Sequence, residues 1–187
     1  MREAKDVLAR TRDAQQADFL LDRAYFAEFC AMADDSGSDF IRGYCALVID
    51  TANLRTAVRS VRMNMEPHIL GSALIDGGSI AVSSLAAAIK NGDGPGALYS
   101  AGPLAAAAQL ASEPLEEGGL TLFEKYCDNA LLAYLQDAKM VSFGEAPVAA
   151  FISAVEAEIT AVRIIINSRR LNLPSEIIRE RLRDSYV

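Results

Sequence analysis

Asp50–Met65 reads DTANLRTAVRSVRMNM, and Glu158–Leu173, which lies 108 residues later, reads EITAVRIIINSRRLNL. The two stretches share a pattern of cations, small polar residues and apolar residues. The matching positions are Arg55 and Arg163, Ser60 and Ser168, Arg62 and Arg170, and Asn64 and Asn172. Self-similarity at a fixed offset marks a duplicated structural unit.

A second match lies upstream of each copy. Phe19–Ala33 pairs with Lys125–Lys139 at an offset of 106 residues, so one small loop change accounts for the difference. The identical pairs are Asp22 and Asp128, Ala24 and Ala130, and Ala27 and Ala133. Duplication favours a scaffold, because a catalytic site rarely needs the same face twice.

Composition limits the class of protein. Of the 187 residues 51% are hydrophobic, which is enough for a buried core. Alanine is frequent and favours helix. The net charge of −7 argues against a nucleic-acid partner, since phosphate binding needs a basic surface. No apolar run approaches the roughly 20 residues of a membrane helix, so direct membrane insertion is not expected.

Helical periodicity dominates the chain, and no alternating strand pattern is present. The sequence therefore predicts an all-α fold of duplicated helical units. The predicted helices are 2–13, 17–34, 39–64, 66–74, 79–90, 97–111, 120–139, 147–171 and 174–185.

Each long helix carries an apolar stripe with spacings of three, four and seven residues. The stripe of the first copy consists of Leu47, Leu54, Val58, Val61 and Met65, and that of the second of Val155, Ile159, Val162, Ile166 and Leu173. The glycine-rich segment 91–96 predicts a break between a first helical unit, 1–91, and a second, 92–187. A further loop is predicted at 113–119.

The sequence offers little evidence for a catalytic site. Asp76–Ser79 reads DGGS before a predicted helix, where glycines can expose N–H groups to an anion. A tight turn with Ser79 as the helix N-cap is the simpler interpretation. His68 is the only histidine and has no catalytic partner in the sequence. We therefore predict no catalytic, cofactor-binding or metal-binding residue. The three cysteines, Cys30, Cys45 and Cys127, are expected to be reduced.

The arginines of the repeat allow two interpretations. Arg55, Arg59 and Arg62 share one helix face, and the second copy keeps Arg163 and Arg170. In the first interpretation, ion pairs join Arg55 to Asp22 and Arg163 to Asp128 on the neighbouring helix. In the second, the arginines form a basic surface for an acidic partner. We favour ion pairs for Arg55 and Arg163, and surface contact for Arg59 and Arg62.

Several segments resemble a known family. Phe19–Phe26, Asp50–Arg62 and Leu74–Ile80 resemble the middle of the rotor component termed C in bacterial and archaeal V/A-type ATPases, or d in eukaryotic V-ATPases. Leu171–Val187 resembles that family's C-terminal signature. The family has three similar helical units arranged as a funnel. The resemblance implies that 1–91 is the family's middle domain, that 92–187 is its C-terminal domain, and that the N-terminal unit is missing.

The function that the resemblance implies is mechanical. Such a rotor component joins the central stalk to the membrane rotor ring and supports ATP-linked proton or sodium transport, without catalysing a reaction or binding a cofactor. It is cytoplasmic and peripheral on the cytoplasmic face of the membrane. Its partners are the central-stalk subunits and the rotor ring. A fragment that lacks the N-terminal unit is expected to self-associate, because self-association covers the apolar helix faces that the missing unit leaves exposed.

Two other classes remain as alternatives. A generic solenoid-like interaction module would stack its repeats to present a concave peptide-binding face. A small helical enzyme using Ser79 or His68 would need a second titratable group beside one of them.

Overall fold

A computed structural model of the chain describes residues 2–112 and 119–186, without the side chains of Pro67 and His68. The predicted loop at 113–119 lies outside the described residues, apart from Gly119. Two compact units make up the chain, Met1–Gly94 and Pro95–Val187. Helices and turns form all regular structure in the described residues, which confirms the all-α prediction.

The first unit contains five helices: α1 (Arg2–Thr11), α2 (Ala14–Asp35), α3 (Asp39–Arg62), α4 (Pro67–Ala73) and α5 (Val82–Asn91). Helix α2 packs on α1 and α3, and α4 and α5 pack on α3. Ala33, Cys45, Ile49 and Ile75 form a buried cluster between α2, α3 and the segment that follows α4. Helix α3 is therefore the centre of this unit.

The second unit begins with a 3-10 turn, Pro95–Tyr99. The helices α6 (Ala105–Ser112), α7 (Gly119–Gln136), α8 (Glu145–Arg170) and α9 (Ser175–Arg181) follow, with a 3-10 turn at Asp137–Met140. Helix α7 packs on α6, α8 and α9. Its Phe123 and Cys127 are fully buried, so α7 is the centre of this unit.

Helix boundaries differ from the prediction where a side chain caps the backbone. The first two helices were predicted at 2–13 and 17–34, but α1 ends at Thr11, because Arg12 has a φ of 55°. The Asp13 carboxylate accepts hydrogen bonds from the N–H groups of Gln15 and Gln16, so α2 starts at Ala14. An N-cap carboxylate at this position satisfies N–H groups that the first helical turn leaves unpaired.

The predicted helix at 97–111 was also wrong in its extent. A 3-10 turn covers Pro95–Tyr99, and α6 begins only at Ala105. Between them Gly102 has a φ of 95°, which ordinary side chains rarely adopt, and this conformation interrupts the helix.

Candidate partner-binding surface

The Asp76–Ser79 turn is held by a buried carboxylate of the long helix α3. Asp50 is 4% exposed, and its oxygens accept hydrogen bonds from the N–H groups of Ser79 (3.0 Å) and Ile80 (3.3 Å). The Ser79 hydroxyl donates to the same carboxylate. A Cβ atom on Gly78 would lie 2.3 Å from Asp50 Oδ1, so only glycine fits there. The N–H groups at this turn therefore already bind an anion, and that anion belongs to the chain.

The prediction that Ser79 caps the following helix was wrong. Helix α5 starts at Val82 with Ala81 as its N-cap residue. The Ser79 side chain turns instead to Asp50, because a buried carboxylate needs several donors to offset its desolvation. This arrangement gives Ser79 a structural role and weakens the hypothesis of a serine-based enzyme.

A second α3 side chain holds the same segment. Asn53 Nδ2 donates to the Ile75 carbonyl at 2.7 Å, and the Ile75 N–H donates to Asn53 Oδ1 at 2.8 Å. The amide thus satisfies both backbone groups of one buried residue. Asp50 and Asn53 lie one helical turn apart, so together they fix the segment after α4 along α3.

The two long helices end in the same backbone turn. Asn64 and Asn172 have φ angles of 49° and 55°, in the left-handed region. The N–H of Met65 donates to the Ser60 carbonyl at 2.9 Å, and that of Leu173 to the Ser168 carbonyl at 3.0 Å. This six-to-one hydrogen bond is characteristic of the Schellman motif. The repeated asparagine of the sequence is thus explained by one turn made twice, because asparagine tolerates the left-handed conformation.

The likeness extends into the short helices that follow. Helix α4 ends at Ala73 and α9 at Arg181, which again lie 108 residues apart. Leu70 and Ile178, at the same offset, are buried at 3% and 5% exposure. Both copies therefore consist of a long helix, a Schellman-type turn and a seven-residue helix.

The apolar stripes of the two long helices have different environments. In the first stripe Leu47, Leu54 and Val58 are buried, Met65 is partly exposed and Val61 is 50% exposed. Helix α8 instead buries small residues, Ala146, Ala150, Ala154 and Ser168. It also exposes large apolar side chains at eight positions, from 38% for Ile165 to 67% for Phe151. Six of them, between 40% and 58% exposed, are Val148, Ile152, Val155, Ile159, Val162 and Ile166. We call these six residues the α8 stripe.

The α8 stripe has the spacing of a helix-pairing seam. Its positions advance by four and three residues in strict alternation, which is the heptad pattern by which one long helix packs along another. The charged residues beside the stripe are acidic in the first part of the helix and basic in the second. Glu156 and Glu158 lie in the first part, whereas Arg163, Arg169 and Arg170 lie in the second. A contiguous apolar face with such a charge division is suited to protein contact.

The arginines and acids of the repeat have mixed environments. Arg59, Arg62, Arg163, Arg170 and Asp22 are exposed, and Arg55 and Asp128 are half-buried. Pairing of Arg55 with Asp22 and of Arg163 with Asp128 stays a prediction, as does surface contact by Arg59 and Arg62.

Asp128 has an ionic partner that the sequence did not indicate. Arg183 Nε donates to Asp128 Oδ2 at 2.7 Å, and both side chains are largely sheltered from solvent. Beside them the Asp184 N–H donates to the Asn129 side-chain oxygen at 3.0 Å. The segment after α9 is thus fixed to α7 by residues 55 positions apart in the chain. No local pattern could have indicated these contacts.

The described residues contain no group of three or more His, Cys, Asp or Glu side chains placed to hold a metal ion. Within the same residues no helix has both the length and the apolarity to span a bilayer. The His68 side chain, which the enzyme hypothesis named, lies outside the described side chains.

These features define an all-α protein built from a repeated helical unit, with an exposed apolar face on one long helix. Residues 1–181 match the family model described as the ATP synthase (C/AC39) subunit, and the chain belongs to this family. The family resemblance found in the sequence is thereby confirmed.

One relative is the C subunit of the V-type sodium ATPase of Enterococcus hirae, which is 23% identical over 189 residues. The match covers 100% of this chain and 57% of that relative, so the chain spans little more than half of the relative's length. No solved structure matches the chain significantly.

Proposed function

We propose that the chain is a non-catalytic coupling component of a V/A-type ATPase, which joins the central stalk to the membrane rotor ring and supports ATP-linked transport of protons or sodium. The family match over residues 1–181 carries this proposal. The name of the Enterococcus hirae relative, which is part of a V-type sodium ATPase, agrees with it. The chain would work on the cytoplasmic side, as a peripheral part of the complex.

The internal construction suits a mechanical role. A coupling component must be stiff, because a compliant link loses torque. In the first unit Asp50 and Asn53 attach an otherwise irregular segment to α3, and in the second Asp128 attaches the segment after α9 to α7. Buried hydrogen bonds to charged or bidentate groups are among the strongest that a protein offers. They support a rigid unit on each side of residue 94.

The α8 stripe is the surface that we assign to partner contact. On α3 four of the six corresponding positions, Leu47, Thr51, Leu54 and Val58, are buried, so protein is the natural cover for such a face. The heptad spacing specifies that the cover is a helix. The charges on α8 indicate which charges the partner helix should carry. We expect cations opposite Glu156 and Glu158, and anions opposite Arg163 and Arg170. We assign this role to an apolar-faced helix of the central stalk.

Co-purification tests the proposal. The full chain is expected to be retained by immobilised, folded central-stalk subunits, and the variants Ile159→Asp and Val162→Asp to bind at least about tenfold more weakly. Thr160→Asp is the matched control, because Thr160 is exposed on the same helix but lies outside the stripe. Helix content by circular dichroism should be equal in all four proteins.

The possible results test the coupling function and the assignment of the α8 stripe separately. If neither the stalk subunits nor the ring retain the folded chain, the coupling function is overturned. If the stripe variants bind as tightly as wild type, the surface assignment is overturned and the coupling function stands. Sedimentation decides between occupants: a wild-type dimer that Ile159→Asp dissociates would assign the stripe to a second copy of the chain and overturn the assignment to the stalk.

A further inference from the structure

Two cysteines of the first unit lie next to each other across the α2–α3 contact. Cys30 Sγ on α2 and Cys45 Sγ on α3 are 3.5 Å apart, although 15 residues separate them in the sequence. Both are free thiols; Cys45 is buried and Cys30 partly exposed. A disulfide bond measures about 2.05 Å, so the sulfur atoms need to approach by only about 1.5 Å.

An opening leads to this pair. A cavity of about 250 Å³ is lined by Cys30, Cys45, Asp34, Arg42 and Gly77. One water molecule accounts for about 30 Å³ of liquid volume, so a small peroxide fits beside the sulfur atoms. A Cβ atom on Gly77 would lie 2.9 Å from Cys30 Sγ, so the absence of a side chain at this position leaves space for the thiol.

From this geometry we propose that Cys30 and Cys45 form a redox-active dithiol, which hydrogen peroxide or an organic hydroperoxide converts to a disulfide joining α2 to α3. The proposal does not depend on the coupling function. It adds a redox function to two of the cysteines that the sequence analysis expects to be reduced, and both are free thiols in the structure.

The chemistry proceeds in two balanced steps. The Cys30 thiol first gives its proton to solvent, and the thiolate attacks the terminal peroxide oxygen. The O–O bond breaks, and the leaving oxygen takes up a proton from solvent. The products are Cys30 sulfenic acid and one water, or one alcohol where the oxidant is an organic hydroperoxide. The Cys45 sulfur then attacks Cys30 Sγ, the S–OH bond breaks, and the hydroxide leaves with the Cys45 proton as a second water. Two thiols lose two electrons, and the peroxide gains them.

The two cysteines differ in burial, as the order of the two steps requires: the more exposed thiol reacts with peroxide first. Burial raises the pKa of the Cys45 thiol to about 12, and the hydrogen bond with Cys30 contributes in the same direction. Cys45 therefore stays protonated at neutral pH, and only the thiolate reacts directly with peroxide. Cys30, which lines the cavity and is partly exposed, is the first to be oxidised.

Trypsin gives a direct assay, because it cleaves after Arg23, Arg42 and Arg55 and so separates the two cysteines. The full chain is treated with hydrogen peroxide, free thiols are alkylated, and the digest is analysed by mass spectrometry. The expected product is peptide 24–42 linked to peptide 43–55, with the loss of two hydrogen masses. Dithiothreitol should restore both peptides. Alkylation is carried out after unfolding in urea, so Cys127, which burial in the second unit protects from peroxide, should be recovered alkylated throughout.

Variants confirm the order of the steps. Cys45→Ala should abolish the linked peptide and leave Cys30 as a sulfenic acid that dimedone captures, whereas Cys127→Ala should form the link as wild type does. The same oxidation in urea should lose the preference for this pair. Separate alkylation of both peptides in oxidised, folded wild-type protein would overturn the proposal, and so would a link through Cys127. The wild-type result requires no variant, so a misfolded variant cannot obscure it.

Discussion

The helices α3 and α8 are two copies of one sequence pattern in different environments. Both end in a Schellman-type turn with a left-handed asparagine. Helix α3 buries ten residues, including Asp50 and Leu54, whereas α8 buries four, three of which are alanines. Local interactions therefore preserve the shape of the helix end, and the neighbours of each helix determine what it buries.

The difference starts after the short helices. In the first unit the segment following α4 lies along α3, held by Asp50 and Asn53. In the second unit the segment following α9 is bonded to α7 through Asp128 and Asn129. The segment at the same position of the repeat is thus attached to the long helix α3 in one copy and to α7 in the other. The first copy thus buries more of its long helix, whereas the second leaves the α8 stripe exposed.

The largest expected effect comes from removing the buried carboxylate. Asp50→Ala should lower the free energy of unfolding by about 4 kcal/mol, because the N–H groups of Ser79 and Ile80 would be left buried without an acceptor. Glu158→Ala, at the equivalent position, should change it by less than about 0.5 kcal/mol, because Glu158 is exposed. Urea unfolding followed by circular dichroism measures both. Equal losses would show that the two copies do not differ as described.

An apolar pair tests the same contrast with a smaller effect. Leu54→Ala should cost about 3 kcal/mol, because Leu54 has 0% exposure and its loss leaves a cavity. Val162→Ala, at the equivalent position in the α8 stripe, should cost less than about 0.5 kcal/mol, since Val162 is 52% exposed. The urea midpoints compare them. A large loss for Val162→Ala in the isolated chain would mean that the stripe is already covered.

The sequence predicted the helices and the duplication because both depend on local patterns. Periodicity marked the long helices, and the repeated serine, arginine and asparagine marked the duplication. The all-α class follows from the same signals, which require no knowledge of tertiary contacts.

Burial and long-range hydrogen bonds could not be predicted in the same way. Asp50 and Glu158 are chemically similar, yet one is a buried anchor and the other is exposed. Asn53 contacts Ile75, which is 22 residues away, and Arg183 contacts Asp128 at 55 residues. Such pairs depend on how segments pack in three dimensions, and a single sequence carries no record of that packing.

The smallest expected effect concerns the feature that both copies share. Replacing Asn64 or Asn172 by valine should lower stability by about 1–2 kcal/mol in each case, because a β-branched residue is strained at positive φ. Glycine at either position should be tolerated, because it adopts this conformation freely. Thermal or urea unfolding of the two valine variants measures the effect. Equal losses at the two sites would show that the turn is maintained by its own backbone geometry, whether its helix is buried or exposed. A loss at Asn64 alone would instead make the turn depend on the packing around α3, and the likeness of the two copies would then be one of sequence more than of energetics.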